Sequence, residues 1–312
     1  MKLYLGVTDN KWFHFLAGRQ PDEVNFWRPG GGHSFRVIPT GGLFLFKLKS
    51  PERFIAGGGF LVRHSTLPLS LAWEAFGEKN GAPDLETLAG MIRRLRRDSA
   101  RDPIIGCTIL AEPFFLPREM WIPEPEGWSG NIVQGKGFST EEIAGRRLLK
   151  QVQDRLRMLR KVAPDAPGNR AADFDDIDSR YGEAYLTRGR LGQGAFRVLV
   201  TESYDRRCAI TGERTLPVLE AAHIKPYAKQ GPHRVNNGLL LRSDLHTLFD
   251  RGYITVTPDH RVLVSQRIRE EYENGRDYYA LHGEALKVVP GTPVEKPAED
   301  YLRWHNDNVF AA

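Results

Sequence analysis

Four of the nine histidines, His223, His233, His246 and His260, fall between residues 223 and 260. The same stretch carries Asn237, Asp244, Asp250, Gly238 and Gly252, with Glu220 just ahead of it. Imidazole is the side chain best suited to take a proton near neutral pH. Residues four apart on a helix share a face, so His246 and Asp250 can point at one ion. The elements that must position them are legible too. Residues 218–224 read as a strand and 238–241 as a second strand after a polar turn. Residues 242–250 have helical spacing with Leu245, Leu248 and Phe249 inward. The unit is strand, loop, strand, helix.

These residues resemble the HNH nuclease family, whose ββα-metal fold is named for a His, an Asn and a final His or Asn. The resemblance covers about residues 188–265. It is carried by Arg190 to Arg197, Arg207 to Gly212, Ala221-Ala222-His223-Ile224, Asn237-Gly238-Leu239 and His246-Thr247-Leu248-Phe249-Asp250-Arg251-Gly252. It implies that His223 is the general base, that Asn237 fixes the loop and orients the histidine, and that His246 is a metal ligand. Phosphodiester hydrolysis needs a deprotonated water and a divalent cation to stabilise charge on the phosphate oxygens. A site that keeps several waters suits Mg²⁺ or Mn²⁺, with Ni²⁺ or Co²⁺ as substitutes, better than a closed zinc cage.

The sequence departs from the family at two places. Many members carry Asp or His just before the base, where this chain has Ala222, so Glu220, Asp250 or water must complete the metal site. A hydrogen bond at the helix end is the other role open to Asp250. Many members also hold a structural zinc on two Cys-x-x-Cys pairs. Here Cys208 stands with Thr211 in the partner's place, so no structural zinc is expected and Cys208 reads as a buried small residue. His233, His260, His282 and His305 read as surface or packing residues.

The first half is strand-rich. Residues 3–7, 43–48, 54–62 and 104–110 are short runs of β-branched, aromatic or leucine residues bounded by Gly and Pro. A helix is expected at 84–97, with Arg93, Arg94, Arg96 and Arg97 outside its apolar stripe. A second should open at Ser139, with Glu142 completing a capping box. The Pro- and Gly-rich stretch from 163 and the acidic run at 173–178 mark a linker. The expected architecture is α+β, with a reader domain at 1–138, a helix and linker at 139–185 and a nuclease domain at 186–312.

Five of the six tryptophans lie before residue 130. Trp12 and Trp27 sit beside hydrogen-bonding residues, and aromatic loops of that kind make a pocket for a flat base. The opening 3–12 and Val24-Asn25-Phe26-Trp27 resemble PUA-like domains of the EVE and SRA type over about residues 1–140, which implies a β-barrel that binds a modified or flipped base. Trp12, Trp27 and Asn10 are the expected base contacts. Trp73 reads as packing, and Trp121 and Trp128 stay open. Fused to an HNH nuclease, such a domain implies a modification-dependent restriction endonuclease acting on double-stranded DNA that carries a modified base. One active site per chain favours a homodimer. Arg93, Arg94, Arg97, Lys225, Lys229 and Arg234 are the expected phosphate contacts. A catalytically silent binding protein and an RNA-directed nuclease are the rival readings.

Composition narrows the classes further. Apolar residues make up 41% and charged residues 27%, which excludes global disorder. The longest apolar run, residues 43–46, ends at Lys47, far short of the roughly 20 residues of a membrane helix. Two cysteines and no signal-type block place the chain in the cytoplasm without disulfides. A net charge of +5 is compatible with a polyanionic partner.

Overall fold

Runs of Leu, Phe and Ile punctuated by glycine build the sheet of the first half, as the alternation predicts. The computed structural model describes residues 1–32, 34–96, 100–162 and 191–311. Arg97 and the expected linker from 163 to 185 lie outside them. The chain divides into two units, Met1–Ala195 and Phe196–Ala312.

The first unit runs β1 (Lys2–Thr8), α1 (Asn10–Arg19), β2 (Glu23–Arg28), β3 (Leu43–Leu48), β4 (Phe54–Pro68), α2 (Leu69–Phe76), α3 (Leu85–Leu95), β5 (Ile104–Phe115), β6 (Ile122–Pro123), β7 (Gly135–Ser139) and α4 (Ile143–Val162). The sheet order is β2-β5-β4-β3-β1-β7, with β6 paired to β4. Among the described residues of this sheet, β1 and β3 pair in parallel and the other neighbours are antiparallel. The expected barrel does not close among the described residues, because β2 and β7 end the path unpaired with each other. The two ends do approach: Arg28 of β2 donates to Gln134 Oε1, beside β7, at 3.2 Å and to the Tyr4 hydroxyl of β1 at 3.3 Å. Side chains join there where backbone pairing stops.

One helix start follows the spacing argument and one departs from it. Asp84 caps α3 by accepting from Thr87 N at 2.7 Å, and Leu88 and Ile92 are buried while Leu95 is 60% exposed. Ser139 instead ends β7, and its Oγ accepts from Glu141 N at 3.2 Å, so α4 begins only at Ile143. Strand pairing of Ser139 with Lys2 wins over the capping box. Within this unit the buried Glu23 carboxylate accepts from Gly194 N and Ala195 N, each at 2.8 Å, and meets Lys79 Nζ at 2.9 Å. Three donors keep that interior charge satisfied.

The second unit is entered through α5 (Gln193–Ser203), followed by β8 (Leu219–His223), β9 (Gly238–Arg242), α6 (Ser243–Asp250), β10 (Ile254–Val256), β11 (Val262–Val264), α7 (Arg267–Tyr272), α8 (Arg276–Tyr279) and α9 (Glu299–Asn308). β8 and β9 form one antiparallel pair and β10 and β11 another. Their core gathers Tyr204, Ala222, Ile224, Leu239, Leu241, Leu245 and Phe249. Cys208 belongs to this core and is fully buried. Among the described residues, no helix is long and apolar enough to cross a membrane.

His305 of α9 packs inside this unit. Its ring stacks on Phe249 at 3.7 Å, Nε2 donates to the Phe249 carbonyl at 3.1 Å, and Nδ1 lies 2.8 Å from Thr255 Oγ1. Burial pushes its pKa down from 6.5 to about 4. A histidine with a depressed folded-state pKa contributes stability above its unfolded pKa and loses it as pH falls through the folded value. The unit should lose up to about 3 kcal/mol between pH 6.5 and 4. Thermal melts across this window should show Tm falling with pH, and His305→Gln should flatten that slope; an unchanged slope would exclude His305 as its source.

Candidate active site

The strand, loop, strand, helix unit forms as its spacing predicts. β8 and β9 pair in a register that sets His223 opposite Gly238 and Glu220 opposite Leu241. A Cβ on Gly238 would meet Val200 Cγ2 at 2.5 Å and the Phe196 ring at 3.0 Å. Glycine there lets the Phe196 ring close on the strand pair, and this ring stacks on His223 with centroids 3.9 Å apart.

Between the strands the chain makes a long connection, closed by one side chain. Asn237 is fully buried. Its Oδ1 accepts from Lys225 N, and its Nδ2 donates to the carbonyls of Lys225 and Pro232, all at 2.9 Å. Ile224 N donates to the Asn237 carbonyl at 2.9 Å. An amide is suited to this task because it offers an acceptor and two donors on one rigid plane.

The loop so held presents His233 to His223. His223 Nε2 lies 2.9 Å from His233 Nδ1, and His233 in turn stacks on exposed Tyr227 at 4.6 Å. From sequence His233 reads as a surface or packing residue; the structure sets it against His223. A signal existed in its place four residues before Asn237, but no periodicity connects a loop histidine to the end of a strand. Burial first, then the positive fields of His233 and His246, push the His223 pKa down from 6.5 to about 4. His223 is therefore a neutral imidazole at pH 7, able to accept a proton.

His246 sits on α6, whose Leu245 and Phe249 are buried, on the face turned to β8. Its Nδ1 lies 2.6 Å from Glu220 Oε2 and its Nε2 3.3 Å from Asp250 Oδ2. The imidazole is thus bracketed by a carboxylate at each nitrogen. Partial burial raises the Asp250 pKa, His246 opposes that shift, and Glu220 adds to it. Two carboxylates that feel one another, with a histidine between them, are oxygen-rich donors suited to a hard divalent cation. As arranged they bond to one another, and among the described residues no group of three or more His, Cys, Asp or Glu is placed to hold a metal ion. A cation here would replace the contacts to His246. Ala222 is fully buried in the apolar core, so the position just before His223 adds no ligand to the site in this chain.

The expected base contacts are not brought together. Trp12 is 3% exposed and packs edge-on against Phe26 and Phe46 at 5.5 and 5.3 Å. It is a core ring with no face open to a base. Trp27 is half-buried, and its Nε1 donates to the Asn80 carbonyl at 2.9 Å. Asn10 uses both ends of its amide on the Lys49 backbone, with Oδ1 accepting from N at 2.8 Å. Among the expected phosphate contacts, Arg93, Arg94, Lys229 and Arg234 are exposed. Lys225 is half-buried, with Nζ 5.5 Å from the Trp304 ring centre.

Asn237→Ala removes all three side-chain bonds and leaves buried groups unpaired, each worth about 1–3 kcal/mol. The second unit should melt several degrees lower. Its His223 and His233 resonances should also broaden as the loop loosens, and an NMR spectrum with both unchanged would remove Asn237 from its role as the pin.

Residues 208–257 match the family model described as HNH endonuclease. No curated protein matches the sequence. Among solved structures, a modification dependent TagI restriction endonuclease is similar with 13% identity and a TM-score of 0.29, over 93% of this chain and 76% of that one. A likeness that loose carries no argument. The segment that holds His223, Asn237 and His246 is thus the segment that matches the HNH endonuclease family.

Proposed function

We propose that the chain is a divalent-cation-dependent DNA endonuclease in which His223 is the general base and His246, with Glu220 and Asp250, holds the cation. The observation that carries this reading is the division of labour between two histidines: His223 is half-buried between the rings of Phe196 and His233 with its pKa pushed down, whereas His246 is flanked by two carboxylates. Mg²⁺ or Mn²⁺ fits the donor set, and when bound it would neutralise charge on the phosphate oxygens.

In this mechanism a water next to His223 gives its proton to the imidazole, and its oxygen attacks phosphorus. The P–O bond opposite breaks, and the departing oxygen takes up a proton from solvent water while the imidazolium of His223 returns its own to solvent. His223 can act only through Nδ1, because Nε2 faces His233. With the shared proton on His223 Nε2, His233 Nδ1 accepts and His223 Nδ1 is left as the base. His233 is then a positioning residue that selects the tautomer. Asn237 reaches His223 indirectly, by holding Pro232 and hence its neighbour His233.

The finer reading is a modification-dependent restriction endonuclease whose first unit reads a modified base, acting as a homodimer so that two sites meet two strands. It is supported by the resemblance of the opening residues and by the basic, aromatic-rich composition of the first half. The test is cleavage of matched plasmids, either unmodified or carrying methylated, hydroxymethylated or glucosylated cytosine, with Mg²⁺ or Mn²⁺. Cutting of one modified plasmid is expected, with loss in chelator and a fall of about 10² to 10⁴ in rate for His223→Ala. Equal cutting of every plasmid would leave the nuclease and remove the reader; no cutting with any metal would leave a binding protein.

His233 has its own test. His233→Asn keeps an acceptor near the position of Nδ1 and should retain most of kcat. His233→Phe should lower kcat at unchanged KM and shift the His223 ¹⁵N resonances toward a mixture of tautomers. Identical His223 resonances in wild type and His233→Phe would end the positioning role.

A further inference from the structure

The first unit holds a cleft of 540 Å³ away from Trp12 and Asn10. That volume lies within the roughly 300–1,000 Å³ of small-ligand sites. Its floor is apolar, from Phe35, Ile38 and Leu61, and its cationic side chains are Lys2, Arg36 and Arg63. Among the described residues, no acidic one lines it. Phe35 is 7% exposed and fixed edge-on to Tyr4 at 4.9 Å, so one wall is a rigid ring. Arg36 follows it in sequence and is exposed.

Two features show why these side chains converge. Segment 34–40 is tied to β4: Thr40 Oγ1 donates to the Val62 carbonyl at 3.3 Å, and Gly41 N donates to the Leu61 carbonyl at 2.7 Å. The β4–β5 register shifts between Leu61 and Arg63. Such a bulge re-aims side chains, so that Leu61, Arg63 and His64 all line the cleft, which two-residue alternation alone would not allow. The surrounding sequence has a matching bias. Residues 24–73 contain six Lys and Arg but one acid, Glu52, against 44 and 39 in the whole chain. A general basic excess does not produce that local depletion of acids.

We infer that this cleft binds the phosphate backbone of a DNA strand, with Arg36 and Arg63 on successive phosphates and a sugar or base against the Phe35 wall. This deepens the proposed function by assigning the grip of the first unit to the cleft. Arginine suits that role because its planar fork meets phosphate oxygens in pairs.

The experiment measures Kd against salt for a fluorescent duplex, with and without methylated cytosine, using full-length His223→Ala protein so that the probe stays intact. Adding Arg36→Gln and Arg63→Gln should weaken binding about tenfold and reduce the slope of log K against log salt by about two. The matched Lys pair should restore the slope, and single Arg36→Gln, at an exposed position, should remove about half of it with an unchanged melt. Three outcomes would overturn the inference: a slope and Kd that do not move, a duplex that does not bind at all, or a free deoxycytidine monophosphate that binds as tightly as the duplex. The nuclease reading stands or falls separately, on plasmid cutting by wild type, so a protein that cuts with its slope unmoved by these variants rejects the cleft alone.

Discussion

The three hydrogen bonds of the Asn237 amide are the constraint on which the candidate site depends. The connection from β8 to β9 contains two short turns and no longer element. Closing a loop of that length costs entropy that strand pairing at its base does not cover locally. Asn237 stands in for a missing strand neighbour: it gives an acceptor to one backbone N–H and donors to two backbone carbonyls. Asp lacks the donors, and Gln would set the amide one methylene too far. Fixing the Pro232 carbonyl fixes His233, and His233 meets Nε2 of His223. Asn237 thus acts on the proposed base at one remove, through Pro232 and the His233 ring that meets Nε2 of His223.

How much of this was legible follows from the kind of pattern each part leaves. β8, β9 and α6 could be read because alternation and helical spacing are local, and Glu220, His246 and Asp250 meet because β9, paired with β8, leads directly into α6 and lays it against β8. His233 could not be read, since its partner lies ten residues away across an irregular loop. The first unit shows the opposite failure. A tryptophan beside Asp and Asn looks the same in sequence whether its ring lines a pocket or fills a core. Trp12 fills the core because α1 is capped by Asp9, whose Oδ1 accepts from Lys11 N and Trp12 N at 3.0 and 3.3 Å. The neighbouring polar groups serve the helix start. Asn10 is likewise consumed by the Lys49 backbone, so the hydrogen-bonding residues that suggested a base pocket are turn and cap residues.

The expected barrel failed for a related reason. Alternating apolar strands specify a two-faced sheet but not its closure, which needs register and tilt consistent all the way round. Here the ends meet through Arg28, Gln134 and Tyr4 rather than through a ladder. Ser139 shows the same competition at a smaller scale, because pairing with Lys2 takes precedence over starting a helix.

Ala222 bears on the charge state of His223. An acid beside His223 would favour the imidazolium and raise its pKa. In this chain the neighbour is a methyl group in the core, Phe196 covers one ring face, and the nearby ionisable groups that act on His223 are histidines. All three press toward the neutral form. The carboxylates are kept for His246, where they bracket the ring and add negative charge at the place a cation would occupy. The same residue type is thus given opposite electrostatic environments on facing elements, one suited to accepting a proton and the other to holding a metal. With alanine at 222, the carboxylate on this strand stands two residues back, at Glu220, beside His246 and away from His223.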